Sequence, residues 1–233
     1  MLSSARRPVR RGGRATPGPR RPLAGAWTVF AASTCALVLL GVGVGLRLVD
    51  GADRSVRELA RPRDEWGPVQ IRAAHVMEGL RPVVVAVVLA AVLLTVCLWR
   101  RTVRPAIVAC VTCSVAAGVT QLTKLALARP DPHDAMTGHG GSFPSGHTLG
   151  VVLCAGLAVC VLWPTGGPWW GWLAPGLGGV AMGTALVIAG AHWATDVVGG
   201  FLLGVAVLSG VTASGLVAST GPAGRAPANG STA

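Results

Sequence analysis

Charge is what this sequence has least of, and the shortage is uneven. Only 12% of its 233 residues are charged, 52% are hydrophobic and the mean hydropathy is +0.59. No charged residue lies between Arg21 and Arg47, Arg81 and Arg100, or Arg104 and Lys124, and none occurs from Met136 to Thr195. Such runs exclude an ordinary soluble domain, because one of this length has no use for so much apolar surface. Acids are missing from the N-terminal segment, which carries seven arginines within residues 6–21. That one-signed, Pro/Gly-rich composition excludes a packed core there and predicts disorder. A second cysteine pair is missing beside Cys110 and Cys113, so a closed zinc site is disfavoured. All six cysteines fall in apolar runs and read as small packing residues. Internal repeats are absent, and no charge pair sits deep within an apolar run, which argues against a transporter.

The apolar blocks that remain have the length of membrane spans, for which about 20 residues suffice. They predict an all-α, polytopic membrane protein with a bundle of six transmembrane helices, at about 25–48, 82–99, 105–127, 148–163, 170–190 and 196–219. The uncharged stretch 136–195 has to be divided, and "WPTGGPWW" at 163–170 divides it with two prolines and two glycines. A signal peptide is the competing reading of the first block, but its apolar run is too long and lacks a small-residue cleavage site. Residues 1–23 are expected to form a basic cytoplasmic tail, 24–220 one six-span domain, and 221–233 a second disordered cytoplasmic tail. Lys and Arg collect on cytoplasmic flanks, so the N-terminus is placed inside and, after six spans, the C-terminus too. The net charge of +11 then reflects contact with anionic headgroups in the cell membrane rather than nucleic acid. Trp27, Trp99, Trp163, Trp169, Trp170 and Trp172 mark the inner interface. All nine acids and all five histidines fall at or near the outer face, which locates the function there.

The first outer loop, 50–81, has mixed charges that suggest a short surface helix interrupted at Pro62. Lys124 interrupts the outer end of the third span; it either snorkels to the interface or serves a site. Arg129 precedes Pro130, which disfavours helical dihedrals, so the helix should end near Ala128. Pro144-Ser145-Gly146-His147 opens the fourth span. A serine N-cap explains Ser145, leaves His147 in the first turn and offers free amide N–H groups to an anion. His192 and Asp196 stand four residues apart across the start of the sixth span. Asp196 either caps that helix or fixes the tautomer of His192, freeing the other ring nitrogen to attack.

Together, Lys124…Arg129-Pro130, Pro144-Ser145-Gly146-His147 and His192…Asp196 resemble the three signature motifs of the type 2 phosphatidic acid phosphatase, or lipid phosphate phosphatase, superfamily. The resemblance implies an active site at the outer membrane face, no metal or other cofactor, and a lipid phosphate substrate whose phosphomonoester or diphosphate headgroup is hydrolysed through a phosphohistidine. It makes His192, His147 and Asp196 catalytic, and Lys124, Arg129, Ser145 and Gly146 phosphate-binding. Two departures stand out. The first motif usually has six residues between its lysine and arginine, whereas here there are four, and the usual arginine register falls on Asp131. The third motif opens with Ser-Arg, whereas this chain has Ala185-Leu186. One lost donor to transition-state charge costs about 3–4 kcal/mol, or roughly 10²–10³ in rate. With no Lys or Arg between residues 130 and 224, Arg81 and Arg72 are the nearest replacements. A catalytically weak member that binds phosphorylated lipids, or acts as a scaffold, is the alternative; zinc on His133, His139 and His147 is a remoter one.

Overall fold

The computed structural model describes residues 24–136, 140–164 and 167–217, and every regular element in it is a helix. The two tails expected to be disordered lie outside those residues, as does His139. Eight helices follow in order: α1 (Ala24–Gly45), α2 (Asp50–Ala60), α3 (Pro68–Gly79), α4 (Pro82–Arg100), α5 (Arg104–Leu127), α6 (Gly146–Leu162), α7 (Leu173–Ile188) and α8 (Ala194–Ser214). Short 3-10 turns at Pro62–Asp64 and Trp169–Trp172 join α2 to α3 and α6 to α7. The first loop is therefore two helices broken at Pro62, where one interrupted helix was expected. The division at 163–170 stands where the prolines put it, because α6 ends at Leu162 and helix resumes at Trp169.

Five stretches are long and apolar enough to cross a bilayer: Gly25–Gly45, Pro68–Arg100, Arg104–Leu127, Trp169–Ile188 and Ala194–Ser214. This is a multi-pass membrane protein. The sixth expected span is the shorter α6, whose 17 residues reach only about 25 Å at 1.5 Å per residue. Its burial explains the difference. Eleven of those residues, Leu149, Val152 and Leu157 among them, are buried against neighbouring helices, so α6 is matched to protein more than to lipid thickness.

α8 packs along α1 and α6, and α6 packs in turn against α4 and α7. Glycines make the α6–α8 crossing close. A Cβ at Gly200 would stand 2.3 Å from the Ser145 carbonyl oxygen, and one at Gly156 would stand 2.2 Å from Leu208. Small residues let transmembrane helices approach this way, where lipid supplies no hydrophobic drive for them to associate. The result fixes the start of α6 against the start of α8. The same end of the bundle carries the end of α1, all of α2 and α3, the start of α4 and the end of α5. All nine acids lie there, and the six tryptophans named above lie at the opposite end.

Candidate active site

α5 ends as its sequence requires. Ala128 takes a left-handed conformation (φ 43°) and its N–H closes on the Lys124 carbonyl, directly before Arg129-Pro130. The returning loop then seals that end, with Gly141 N–H donating to the Lys124 carbonyl and Ser142 N–H to the Arg129 carbonyl at 2.7 Å. A Cβ at Gly141 would come 2.5 Å from the Arg129 nitrogen, so only glycine allows the approach. Lys124 is the only lysine in the chain. Its Nζ donates to the Gly141 carbonyl at 3.0 Å, which holds the ammonium over the loop leading into Pro144–His147.

Ser145 caps α6. Its Oγ accepts from the Thr148 N–H at 3.4 Å and from the Thr148 hydroxyl at 3.3 Å, while its own N–H donates to the Asp196 carbonyl at 2.9 Å. The side chain is wholly buried, so Ser145 is occupied with capping and with tying α6 to α8. Among the described residues, the N–H groups of Gly146 and His147 in the first turn have no partner, as expected at a helix start. On α8, Asp196 is also wholly buried. Its Oδ2 lies 3.3 Å from His192 Nδ1 and accepts the Trp193 N–H at 3.1 Å. This contact fixes which ring nitrogen faces the carboxylate and leaves Nε2 for other work. The rings of His192 and His147 stand 6.3 Å apart at 64°. Lys124 and Arg81 also act on His147 through their charge. Three segments distant in sequence thus share one place.

Arg129 joins them in an unforeseen way. Its Nη1 donates to Thr195 Oγ1 at 2.7 Å and to Asp196 Oδ1 at 3.0 Å, and its Nη2 to Asp53 Oδ2 at 2.6 Å. Asp50 lies 3.5 Å from Nη2, and the Trp193 ring centroid is 5.3 Å from the guanidinium carbon. Arg129 and Asp53 are buried at 8% and 2% exposure. This guanidinium is committed to carboxylates rather than standing free for an anion. Breaking such a buried pair from one side costs on the order of 3–5 kcal/mol. Asp53 is the residue that sequence reasoning missed. It sits in the first turn of α2, within a mixed-charge segment indistinguishable from a solvated surface helix. The only hint was that a cation forced inward beside Pro130 would need a second carboxylate.

The two departures from the motif pattern have structural counterparts. Asp131 Oδ1 accepts the N–H groups of His133 (2.8 Å) and Ala135 (3.0 Å), so the loop uses this carboxylate as its own cap. Leu186 and Ala185 are buried in the face of α7, at 1% and 4% exposure. Of the two expected replacements, Arg81 acts on His147 through its charge and is ion-paired with Glu78, whereas Arg72 bonds the Pro68 carbonyl of its own helix. His133 lies against Arg61 and Asp64.

Two cavities adjoin this end of the bundle. One, of about 870 Å³, is apolar and runs between α1, α5 and α8; Thr123 and Leu127 on α5 and Phe143 and Pro144 below the α6 cap line its upper part. The other, of about 600 Å³, is polar and lined by Arg47, Arg54, Arg57 and Arg129 with Asp50 and Asp134.

Residues 105–216 match the sequence model of the PAP2 superfamily. No curated protein matches the chain. Among solved structures, the chain is similar to one described as the first transmembrane PAP2 type phosphatidylglycerolphosphate phosphatase from Bacillus subtilis. That similarity has a TM-score of 0.66 and 18% identity, and it covers 77% of this chain and 92% of the other. At that identity the likeness is one of fold. Residues 105–216 thus match the PAP2 superfamily in sequence, and the helix bundle that carries them shares its fold with a transmembrane PAP2 type structure.

Proposed function

We propose that this protein is a metal-independent lipid phosphate phosphatase working through a phosphohistidine at the extracytoplasmic face of the cell membrane. The observation that carries the reading is the His192–Asp196 couple lying beside His147 and Lys124 at one end of the bundle. His192 Nε2 forms a bond to phosphorus as the bond from phosphorus to the lipid oxygen breaks. His147 donates its proton to that leaving oxygen. Water then attacks the phosphorus, His147 takes its proton, the N–P bond breaks and inorganic phosphate leaves. Lys124 and the free N–H groups of Gly146 and His147 stabilise the equatorial oxygens, and Arg81 supplies a guanidinium from the start of α4. Ser145 serves the site by holding the α6 start, and Arg129 by holding Asp196.

The substrate is a phosphomonoester or diphosphate on a lipid; phosphatidic acid, a polyprenyl diphosphate and phosphatidylglycerol phosphate all present the required group. The apolar groove supports a lipid chain entering sideways from the bilayer, since Thr123 and Pro144 in its wall directly precede Lys124 and Ser145 in the chain. Positive flanks at the opposite end support cytoplasmic termini and an outward-facing site. The binding-only alternative is motivated by one observation: no guanidinium stands at Leu186 or Asp131.

Release of phosphate from a panel of these lipids, by purified protein in chelator, separates the readings. Wild type is expected to release phosphate and His192→Ala to lose at least about 10³-fold in rate. Equal release by the two proteins refutes the histidine mechanism, and lipid binding with no release by wild type favours the alternative.

A further inference from the structure

We infer that Asp53, on the helix that follows the first span, is a positioning residue. By gripping Arg129 and the first turn of α8 it keeps one carboxylate oxygen of Asp196 free for His192. Asp53 Oδ1 accepts the Thr195 N–H at 3.0 Å, and its Oδ2 accepts both the Thr195 hydroxyl and Arg129 Nη2. Arg129 is thereby shared: one η nitrogen goes to Asp53 and the other to Asp196 Oδ1, leaving Asp196 Oδ2 to the His192 ring. Arginine forks pair preferentially with both oxygens of a single carboxylate. Without Asp53, the Arg129 fork is drawn onto Asp196 and competes with His192 for Oδ2.

The charges around Arg129 point the same way. Asp53, Asp196 and the nearby Asp50 face the Arg129 guanidinium, and Asp196 also acts on Lys124 through its charge. On the phosphohistidine reading, the His192 ring gains positive charge as its N–P bond forms. The Asp196 carboxylate beside the ring stabilises that charge. Every charged group near the ring enters the balance: Asp196 on α8, His147 on α6, Lys124 and Arg129 on α5 and its exit loop, Asp50 and Asp53 on α2, and Arg81 before α4. Arg61 and His133 sit against Gly190 on the turn before it.

A plain structural clamp would also bury these groups, so the test uses variants with opposite charge effects. On the phosphohistidine reading the attacking imidazole must be unprotonated, so the acid limb of the kcat/KM profile of the full-length protein is the readout. Asp53→Asn removes a negative charge and is expected to move that limb to lower pH. It should also lower kcat by about 10–100-fold with KM nearly unchanged, less than the roughly 10⁴-fold of losing the carboxylate that touches a triad imidazole. Arg129→Gln removes a positive charge and is expected to move the limb to higher pH. The double variant Asp53→Asn/Arg129→Gln restores the balance and is expected to return the limb to near its wild-type position; it also answers for Asp53→Asn should that single variant not fold. Limbs that stay put, or move the same way in both single variants, overturn the inference, because misfolding changes the active fraction and not the titration. The inference rests on the phosphatase reading for its kinetics. If wild type releases no phosphate, that reading fails. NMR titration of the His192 ring in the same proteins then decides the positioning role by the same opposed shifts.

Discussion

At the residue scale, the site is legible where chemistry and local structure demand the same residue, and illegible where partners come from afar. His192 and Asp196 are four apart on one helix start, a spacing at which side chains meet, and they do. Arg129 could be placed at a helix end from Pro130 alone, but nothing local says what it binds. Its partners are 76 and 67 residues away. Ser145 followed its bland reading as a helix cap, and the capping bonds account for its burial. Arg81 is the clearest residue-scale test. It acts on His147 through its charge from an exposed position, with its side chain 56% accessible and ion-paired with Glu78. Arg81→Gln is expected to lower kcat on the order of 10²-fold with a folded, correctly inserted protein, as for loss of one donor to transition-state charge. Unchanged turnover would leave the site with Lys124 as its sole cationic donor.

At the element scale, composition fixed where helices break, but not how many reach across a bilayer. Prolines opened α3, α4 and α5 at their first or second positions, and the Gly/Pro cluster after Leu162 ended α6. The brevity of α6 was hidden, because an apolar run reads alike whether it faces lipid or protein. The α6–α8 crossing is the element contact on which the geometry turns, since it carries the His147 end of one helix to the Asp196 end of the other. Gly200→Ala places a methyl group 2.3 Å from the Ser145 carbonyl and forces the helices apart. A lower melting temperature and a fall in kcat of at least about tenfold are expected, since small misplacement at an active site costs up to about 10² in rate. Gly176, where a Cβ meets nothing, is the control: Gly176→Ala should change neither.

At the scale of the whole molecule, the separation of the acids from Trp27, Trp99, Trp163, Trp169, Trp170 and Trp172 was readable from the sequence, because alternating spans sort every loop to one end or the other. The same pattern predicts an orientation, which labelling can test. Asp134 is exposed at the site end and Trp170 at the opposite end. In a version without its native cysteines, Asp134→Cys is expected to label with an impermeant maleimide in intact cells, and Trp170→Cys only after permeabilisation. The reverse pattern would invert the topology and put the chemistry in the cytoplasm. The central claim, however, concerns one bond. Wild-type protein quenched during turnover of a lipid carrying labelled phosphate should hold an acid-labile, base-stable label on His192, and His192→Ala should hold none. Undiminished turnover with no label on the wild-type protein, or equal label on the His192→Ala protein, would contradict the account.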